Sequence, residues 1–168
     1  TGILTLSGAD SIANYQQVLR TVTYNNSDQD PNTTARIITF VVNDGSNNSN
    51  TATTTVTVLG VNDAPLLDLD ANDSTSTGAN FAATFTEDAG VVGIADVDAT
   101  ITDVDSSNMS SLTVTITNLL DGTAESLDAD VSGTSIAKSY DSGTGILTLS
   151  GADSIANYQQ VLRTVTYN

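Results

Sequence analysis

Apolar residues alternate with threonine over many short stretches, which predicts a protein built from β-strands. Residues 112–117 set leucine, valine and isoleucine against three threonines, and residues 55–58 repeat the alternation with two valines. This two-residue period is typical of strands with one buried face. Residues 36–42 (RIITFVV) are apolar on both faces and are predicted to form a central strand, while 81–86 and 145–150 suit shorter strands.

One segment has helical spacing instead. DSIANYQQVL occupies residues 10–19 and again 153–162, and in the first copy Ile12, Tyr15 and Leu19 fall on one face of a helix. Asp10 stands just before the first apolar position and is predicted to cap the helix. We therefore expect one short helix between strands.

The strands are separated by turn-rich segments, and no helix-length crossover connects them. About seven short strands in succession suit an antiparallel β-sandwich of immunoglobulin-like type, so the predicted class is all-β. Residues 68–80 (DLDANDSTSTGAN) are too polar for a strand, and we expect a linker or surface loop there.

The chain contains an exact internal duplication. Residues 144–168 repeat residues 1–25 letter for letter, at an offset of 143 residues. This indicates a tandem array, with residues 1–63 as the C-terminal part of one repeat and 64–168 as the N-terminal part of the next.

The composition restricts the chemistry. Twenty acidic residues face four basic ones, the net charge is -16 and the pI is near 4.1, so the surface repels nucleic acid and anionic membranes. Cysteine and histidine are absent, which excludes disulfides, thiolate or imidazole metal sites and histidine-dependent triads. Any metal ion bound by side chains of this protein must therefore have oxygen ligands. Aromatic residues make up only 5% of the chain, which offers little to line a glycosidase cleft, and we expect no enzyme.

Residues 51–65 (TATTTVTVLGVNDAP) resemble the last strand and linker of cadherin-like repeats. Five acidic motifs follow the cadherin order: SDQD with Asp28 and Asp30, VNDG with Asp44, VND with Asn62 and Asp63, FTEDA with Glu87, and TDVDS with Asp103 and Asp105. The chain thus resembles the cadherin-like tandem repeats of giant bacterial surface adhesins, of the RTX and VCBS type. Gly60 and Gln29 depart from the family pattern.

The resemblance implies calcium bound at the junction between repeats, which suits carboxylate and carbonyl ligands in turns. Its implied ligands are Asp28, Asp30, Asn62, Asp63, Asp103 and Asp105. Glu87 and Asp44 would bind calcium at neighbouring junctions of the array. For Glu87, binding at the junction within this chain also stays open.

A second acidic segment offers another candidate. DLDAND has the start of a calcium loop at Asp68 and Asp70, but Asp73 and Ala79 occupy the positions where an EF-hand needs glycine and glutamate. Two interpretations stay open, a looser calcium site and a solvated acidic loop. The motif ADVDA (95–99) is interpreted as a surface turn.

These features predict an extracellular, calcium-stiffened spacer repeat that extends a distal adhesive region from a cell surface. The alternative is a module that recognises carbohydrate or another copy of itself. Lys138 is interpreted as an ordinary outward strand residue, although an isopeptide bond stays open.

The duplication also predicts how the strands are completed. Besides neighbouring repeats, we expect head-to-tail self-association, in which the amino-terminal part of one molecule completes the carboxy-terminal part of another. Self-completion within one chain, through residues 61–80, is the alternative.

Overall fold

A computed structural model of the protein describes residues 2–168, which form two compact units. The first ends at Gly60 and the second runs from Val61 to Asn168. Every strand pairing in the described part of the chain is antiparallel, and the two α-helices are short. The predicted all-β class is confirmed. No helix within residues 2–168 is both long enough and apolar enough to cross a membrane.

The first unit contains one helix and one hairpin. Helix α1 spans Ile12–Leu19, strand β1 spans Arg36–Phe40 and strand β2 spans Ala52–Val56. The two strands pair along their whole length, and an isolated bridge between Asn43 and Asn48 closes the connection between them.

The prediction of a central strand over residues 36–42 is wrong. Strand β1 ends at Phe40 and has only β2 beside it, in a two-stranded sheet. Ile37 is 72% exposed, and Val41 and Val42 beyond the strand are also exposed. The segment is apolar on both faces, but in this unit only one face is even half-buried.

The second unit is a β-sandwich whose strands share one core. Its elements are β3 (Leu66–Asp68), β4 (Val92–Gly93), β5 (Thr100–Thr102), β6 (Asn108–Thr115), β7 (Leu127–Asp128), β8 (Ala137–Asp141), β9 (Ile146–Ser154), α2 (Ile155–Leu162) and β10 (Thr166–Tyr167). A short 3-10 turn, Gly122–Ala124, precedes β7. The sheet orders are β6-β9-β8, β4-β10-β7 and β3-β5.

Two of the sequence-predicted strands in this unit form and one does not. Strands β6 and β9 cover most of residues 112–117 and 145–150. Residues 81–86 pair with no strand in the described structure, so that prediction is wrong. Phe85 of this segment instead packs edge-to-face on Tyr167, with 5.3 Å between the ring centroids.

The core of the second unit is centred on β9 and α2. Leu147 and Leu149 alternate inward along β9, as the two-residue period requires, and both are buried. Helix α2 contacts β5, β6 and β9 and buries Tyr158, Val161 and Leu162. Burying these side chains and Val165 stabilises the unit by on the order of 10 kcal/mol as an upper estimate.

The two copies of the duplicated segment have the same local structure. Each helix is capped by serine, Ser11 or Ser154, whose hydroxyl accepts the N–H of the asparagine three residues later at 3.2 Å. The prediction that Asp10 is the cap is wrong by one residue. Asp10 instead accepts the Ser11 N–H at 2.7 Å and the Asn14 side chain at 2.8 Å, and so supports the cap from outside.

The copies differ in what surrounds them. Leu6 and Val18 are each 43% exposed in the first copy, whereas their equivalents Leu149 and Val161 are fully buried in the second. Residues 146–154 form β9 between two strands, but residues 3–11 belong to no strand. Local sequence therefore determines the helix and its caps, and tertiary partners determine the strand and its burial.

This contrast predicts different effects of one substitution at two equivalent glycines. Gly8 and Gly151 both have a positive φ, 125° and 123°, so alanine is strained at either position. A Cβ on Gly151 would lie 2.8 Å from the Ser135 carbonyl oxygen, whereas nothing lies within 4 Å of one on Gly8. We expect Gly151→Ala to lower the stability of the second unit by about 1–3 kcal/mol more than Gly8→Ala, measured by thermal melts. Equal melting temperatures for the two variants would contradict the difference in packing.

Candidate metal centre

The pairing of β3 with β5 brings the linker to the Asp-x-Asp motif. Leu66 at the start of β3 lies opposite Thr102 at the end of β5, because the strands are antiparallel. The residues just before β3 and just after β5 therefore meet at one end of this sheet. Asp63 and Asp105, 42 positions apart in the sequence, are joined there by a hydrogen bond.

The group formed by Asp63, Asp103 and Asp105 is called the linker site below. The Asp63 backbone N–H donates to Asp105 Oδ2 at 2.9 Å. The other carboxylate oxygen, Asp105 Oδ1, is buried and has no hydrogen-bond partner, the one such side-chain atom in residues 2–168. A buried polar atom without a partner is costly, and it indicates that a positively charged or donating group belongs beside it.

Asp103 adds a second carboxylate to the linker site. Its Oδ1 accepts the Ser106 N–H at 2.9 Å and the Asp105 N–H at 3.1 Å. Burial raises the pKa of Asp103, but these N–H groups lower it more, so its pKa lies below the usual value and the group is an anion at neutral pH. The linker site thus carries negative charge next to an unpartnered oxygen.

The other predicted ligands lie in exposed turns. Asn62 is exposed, next to the linker site, and its side chain donates to the Asp63 carbonyl at 2.6 Å. Glu87 is exposed in the turn after the unpaired 81–86 segment. In the first unit, Asp28 accepts the Asp30 N–H at 3.2 Å, and Asp44 accepts the N–H groups of residues 46 and 47, both at 2.8 Å. These contacts show turn-forming roles and leave the ligand assignments as predictions.

Residues 69–80 form a loop, as predicted, whereas Asp68 ends strand β3, and the central carboxylate of the loop is not solvated. Asp70 is fully buried and accepts the N–H and hydroxyl groups of Ser74 and Thr75 at 2.7–3.0 Å, as well as the Ser76 N–H at 3.3 Å. Asp68 accepts the Asp70 N–H at 3.0 Å. Burial raises the pKa of Asp70, but the hydroxyl and N–H donors lower it far more, so the net pKa is well below its usual range.

A second acidic group, the loop cluster, consists of Asp70, Asp96 and Asp98. One carboxylate oxygen from each lies within 4.8 Å of the others, so this group can hold a metal ion. Ser74 bridges two members, since its hydroxyl lies 3.0 Å from Asp70 Oδ1 and 3.2 Å from Asp96 Oδ2. Asp98 accepts the Ala71 N–H at 3.2 Å, which fixes the turn against the loop.

Sequence reasoning missed Asp96 and Asp98 as partners of Asp70. They lie in the ADVDA turn, which forms as expected, but both are half-buried rather than freely exposed. The two motifs are more than twenty residues apart, and the Asp96 N–H donates to the Leu69 carbonyl at 2.8 Å. The sequence signal that could have suggested the pairing is the repeated Asp-x-Asp spacing in both segments.

Lys138 lies at a strand position and is partly exposed, consistent with the interpretation of its segment as a strand. Its amino group contacts Asp128 Oδ1 at 2.5 Å and the Ala129 carbonyl at 2.6 Å. This is the one ion pair among residues 2–168. The carboxylates of the linker site and the loop cluster therefore have no lysine or arginine paired with them in the described structure.

The chain is similar to a part of one very long protein. It is 36% identical to halomucin of Haloquadratum walsbyi over an alignment of 130 residues, which covers 73% of this chain. The chain spans about 1% of the length of that relative. Comparison with protein-family models finds no match, and comparison with solved structures finds none either.

The buried position of Asp70 predicts a structural role that is independent of any metal. Asp70→Ala removes the acceptor of five hydrogen bonds, and in chelator at pH 7 we expect a clearly lower melting temperature for the second unit than in Asp98→Ala, which removes one. Because the folded pKa of Asp70 is depressed, its contribution is present above the unfolded value of about 3.9 and is lost as pH falls below it. The difference between wild type and Asp70→Ala should therefore shrink between about pH 4 and pH 2. Equal melting temperatures of Asp70→Ala and wild type at pH 7 would contradict this structural role.

Proposed function

We propose that the chain is a calcium-binding spacer repeat of a large extracellular surface protein. The observation that carries this proposal is the linker site, where the backbone of Asp63 is bonded to Asp105 and the second oxygen of Asp105 is buried without a partner. Asp63, near the start of the second unit, is thus joined to a carboxylate whose second oxygen is free to accept a cation.

The electrostatics favour a cation over an additional hydrogen-bond donor. Asp103 is held as an anion beside Asp105, and no basic side chain is paired with either in the described chain. Two carboxylates in a partly buried position repel each other unless a positive charge lies between them. A divalent ion supplies that charge and satisfies the unpartnered oxygen at the same time.

The available ligands select the class of metal. All side-chain candidates are carboxylate or amide oxygens, since the chain has neither cysteine nor histidine. Hard oxygen ligands from turns suit calcium, which accepts six to eight oxygens in flexible geometry. Asp103 and Asp105 would hold the ion, Asp63 is joined to Asp105 by its backbone N–H, and ligation by the side chains of Asp63, Asn62, Asp28 and Asp30 remains a prediction.

The site supports a mechanical role. Calcium at the linker site would fix the linker to the end of the β3-β5 sheet and cancel the local repulsion. In an array of such units, each fixed linker restricts bending, and the chain acts as a stiff spacer rather than a catalyst. The 143-residue duplication and the similarity to halomucin support a place within a large surface protein, and the proposed location is therefore extracellular.

Calcium binding predicts opposite effects of one substitution under two conditions. In chelator, Asp105→Asn should melt no lower than wild type, because it removes an unpaired buried charge. In calcium, the wild type should gain about 2.7 kcal/mol at a hundredfold excess over a dissociation constant of about 10^-4 M, and the variant should gain much less. Calorimetric titration and thermal melts measure both effects.

The matched control is Asp121→Asn, which makes the same charge change at an exposed residue without a side-chain cap hydrogen bond. It should bind calcium as the wild type does. Asp98→Asn separates the two acidic groups, because it should remove only binding at the loop cluster. Equal calcium affinity in wild type and Asp105→Asn would refute calcium binding at the linker site.

The spacer role predicts a change of dimensions. Small-angle scattering of the full chain should show a longer maximum dimension and less flexibility in calcium than in chelator, and Asp63→Ala combined with Asp105→Asn should remove that difference. Scattering profiles that coincide with and without calcium, although calorimetry detects binding, would refute the stiffening role and leave only the binding.

A further inference from the structure

The duplicated segment exists in two states, and the buried state shows what it is built to contact. Leu4 is 69% exposed in the first copy, and its equivalent Leu147 is 1% exposed in the second. Leu6 and Val18 line an open groove with Tyr15, whereas the equivalents of all three are buried core residues. The first copy thus presents an apolar face whose partner surface is known from the second copy.

That partner surface, here called the acceptor face, is formed by strands β4 to β8. Strand β9 pairs with β6 on one side and β8 on the other, and β10 pairs with β4 and β7. Helix α2 adds two polar contacts to residues near β5. Gln159 accepts the Ile101 N–H at 2.9 Å, and Arg163 donates to the Ala99 carbonyl at 2.9 Å.

The first copy has the same side chains and local geometry for these contacts. Gln16 and Arg20 stand where Gln159 and Arg163 do, and Arg20 ends its helix with a φ of -69°, against -68° for Arg163. Tyr15 donates to the Gly8 carbonyl at 2.6 Å, as Tyr158 does to the carbonyl of Gly151. The helix and its connection are preorganised before docking, which lowers the entropy lost on binding.

We propose that residues 2–25 of one molecule dock on the acceptor face of a second copy of the chain, in the place that residues 145–168 occupy in their own unit. The acceptor face of each chain is filled by residues 145–168 of that chain, so residues 2–25 of another molecule dock there by displacing that segment. The two segments are identical, so their docked states have equal contacts and only the covalent tether favours the second copy.

The test uses full-length chains in which one copy is disabled. Leu149→Asp places a charge at a fully buried position and should release the second copy from the acceptor face. Leu6→Asp makes the same change in the first copy, where the side chain is already exposed. The double variant disables both copies and gives the baseline for an acceptor face that nothing fills.

Leu149→Asp should associate head to tail as its concentration rises from about 1 µM to about 1 mM, with at least a doubling of molar mass by light scattering. Its melting temperature should rise with concentration. Hydrogen exchange should show protection of residues 2–25, and the substitution gives the two otherwise identical peptides different masses. Leu6→Asp should stay monomeric and melt like the wild type.

Two results would overturn the proposal. If Leu149→Asp matches the double variant in mass, melting temperature and exchange at every concentration, the first copy does not dock. If Leu149→Asp is folded and protected but monomeric throughout, the first copy docks within its own chain, and a second molecule is not the partner. The inference is independent of cation binding, so all three variants are compared in both calcium and chelator.

Discussion

The second unit depends on the burial of one apolar face, which the last 25 residues supply. Strand β9 is the middle strand of its sheet, α2 covers the core, and β10 joins β4 to β7. As an upper estimate, their burial contributes a gross stabilisation on the order of 10 kcal/mol, against a net stability of similar size for a whole domain. Loss of this segment is therefore expected to destabilise the unit strongly. The first copy shows what the same residues do when no such partner surface surrounds them.

The linker site and the loop cluster both lie beside the β3-β5 sheet of the second unit. The linker site lies where β3 and β5 end, and the loop cluster lies where the loop after β3 meets the turn before β5. Both use the same short sheet, so strand pairing places carboxylates from distant parts of the sequence together. The two groups differ in their hydrogen bonding. The Asp70 carboxylate accepts five hydrogen bonds, whereas one buried carboxylate oxygen of Asp105 accepts none.

The sequence predicted what depends on local pattern. The two-residue period located β6 and β9, and the spacing of Ile12, Tyr15 and Leu19 located the helix within two residues of its start. It could not predict that residues 81–86 stay unpaired or that Ile37 is exposed, since both depend on which strands are available as neighbours. It also could not join Asp96 to Asp70, because that contact depends on how the turn and the loop meet in the folded unit.

The identity of the two 25-residue copies has a consequence for synthesis of a tandem array. Every acceptor face is translated before the segment that fills it, and that segment follows within the same unit. The first of the two copies has left the ribosome a full 143-residue period before the second, roughly ten seconds at ordinary elongation rates, so it is already present when the acceptor face is completed. The short connection between β8 and β9 is therefore what selects the second copy over a segment that binding energy alone cannot distinguish from it.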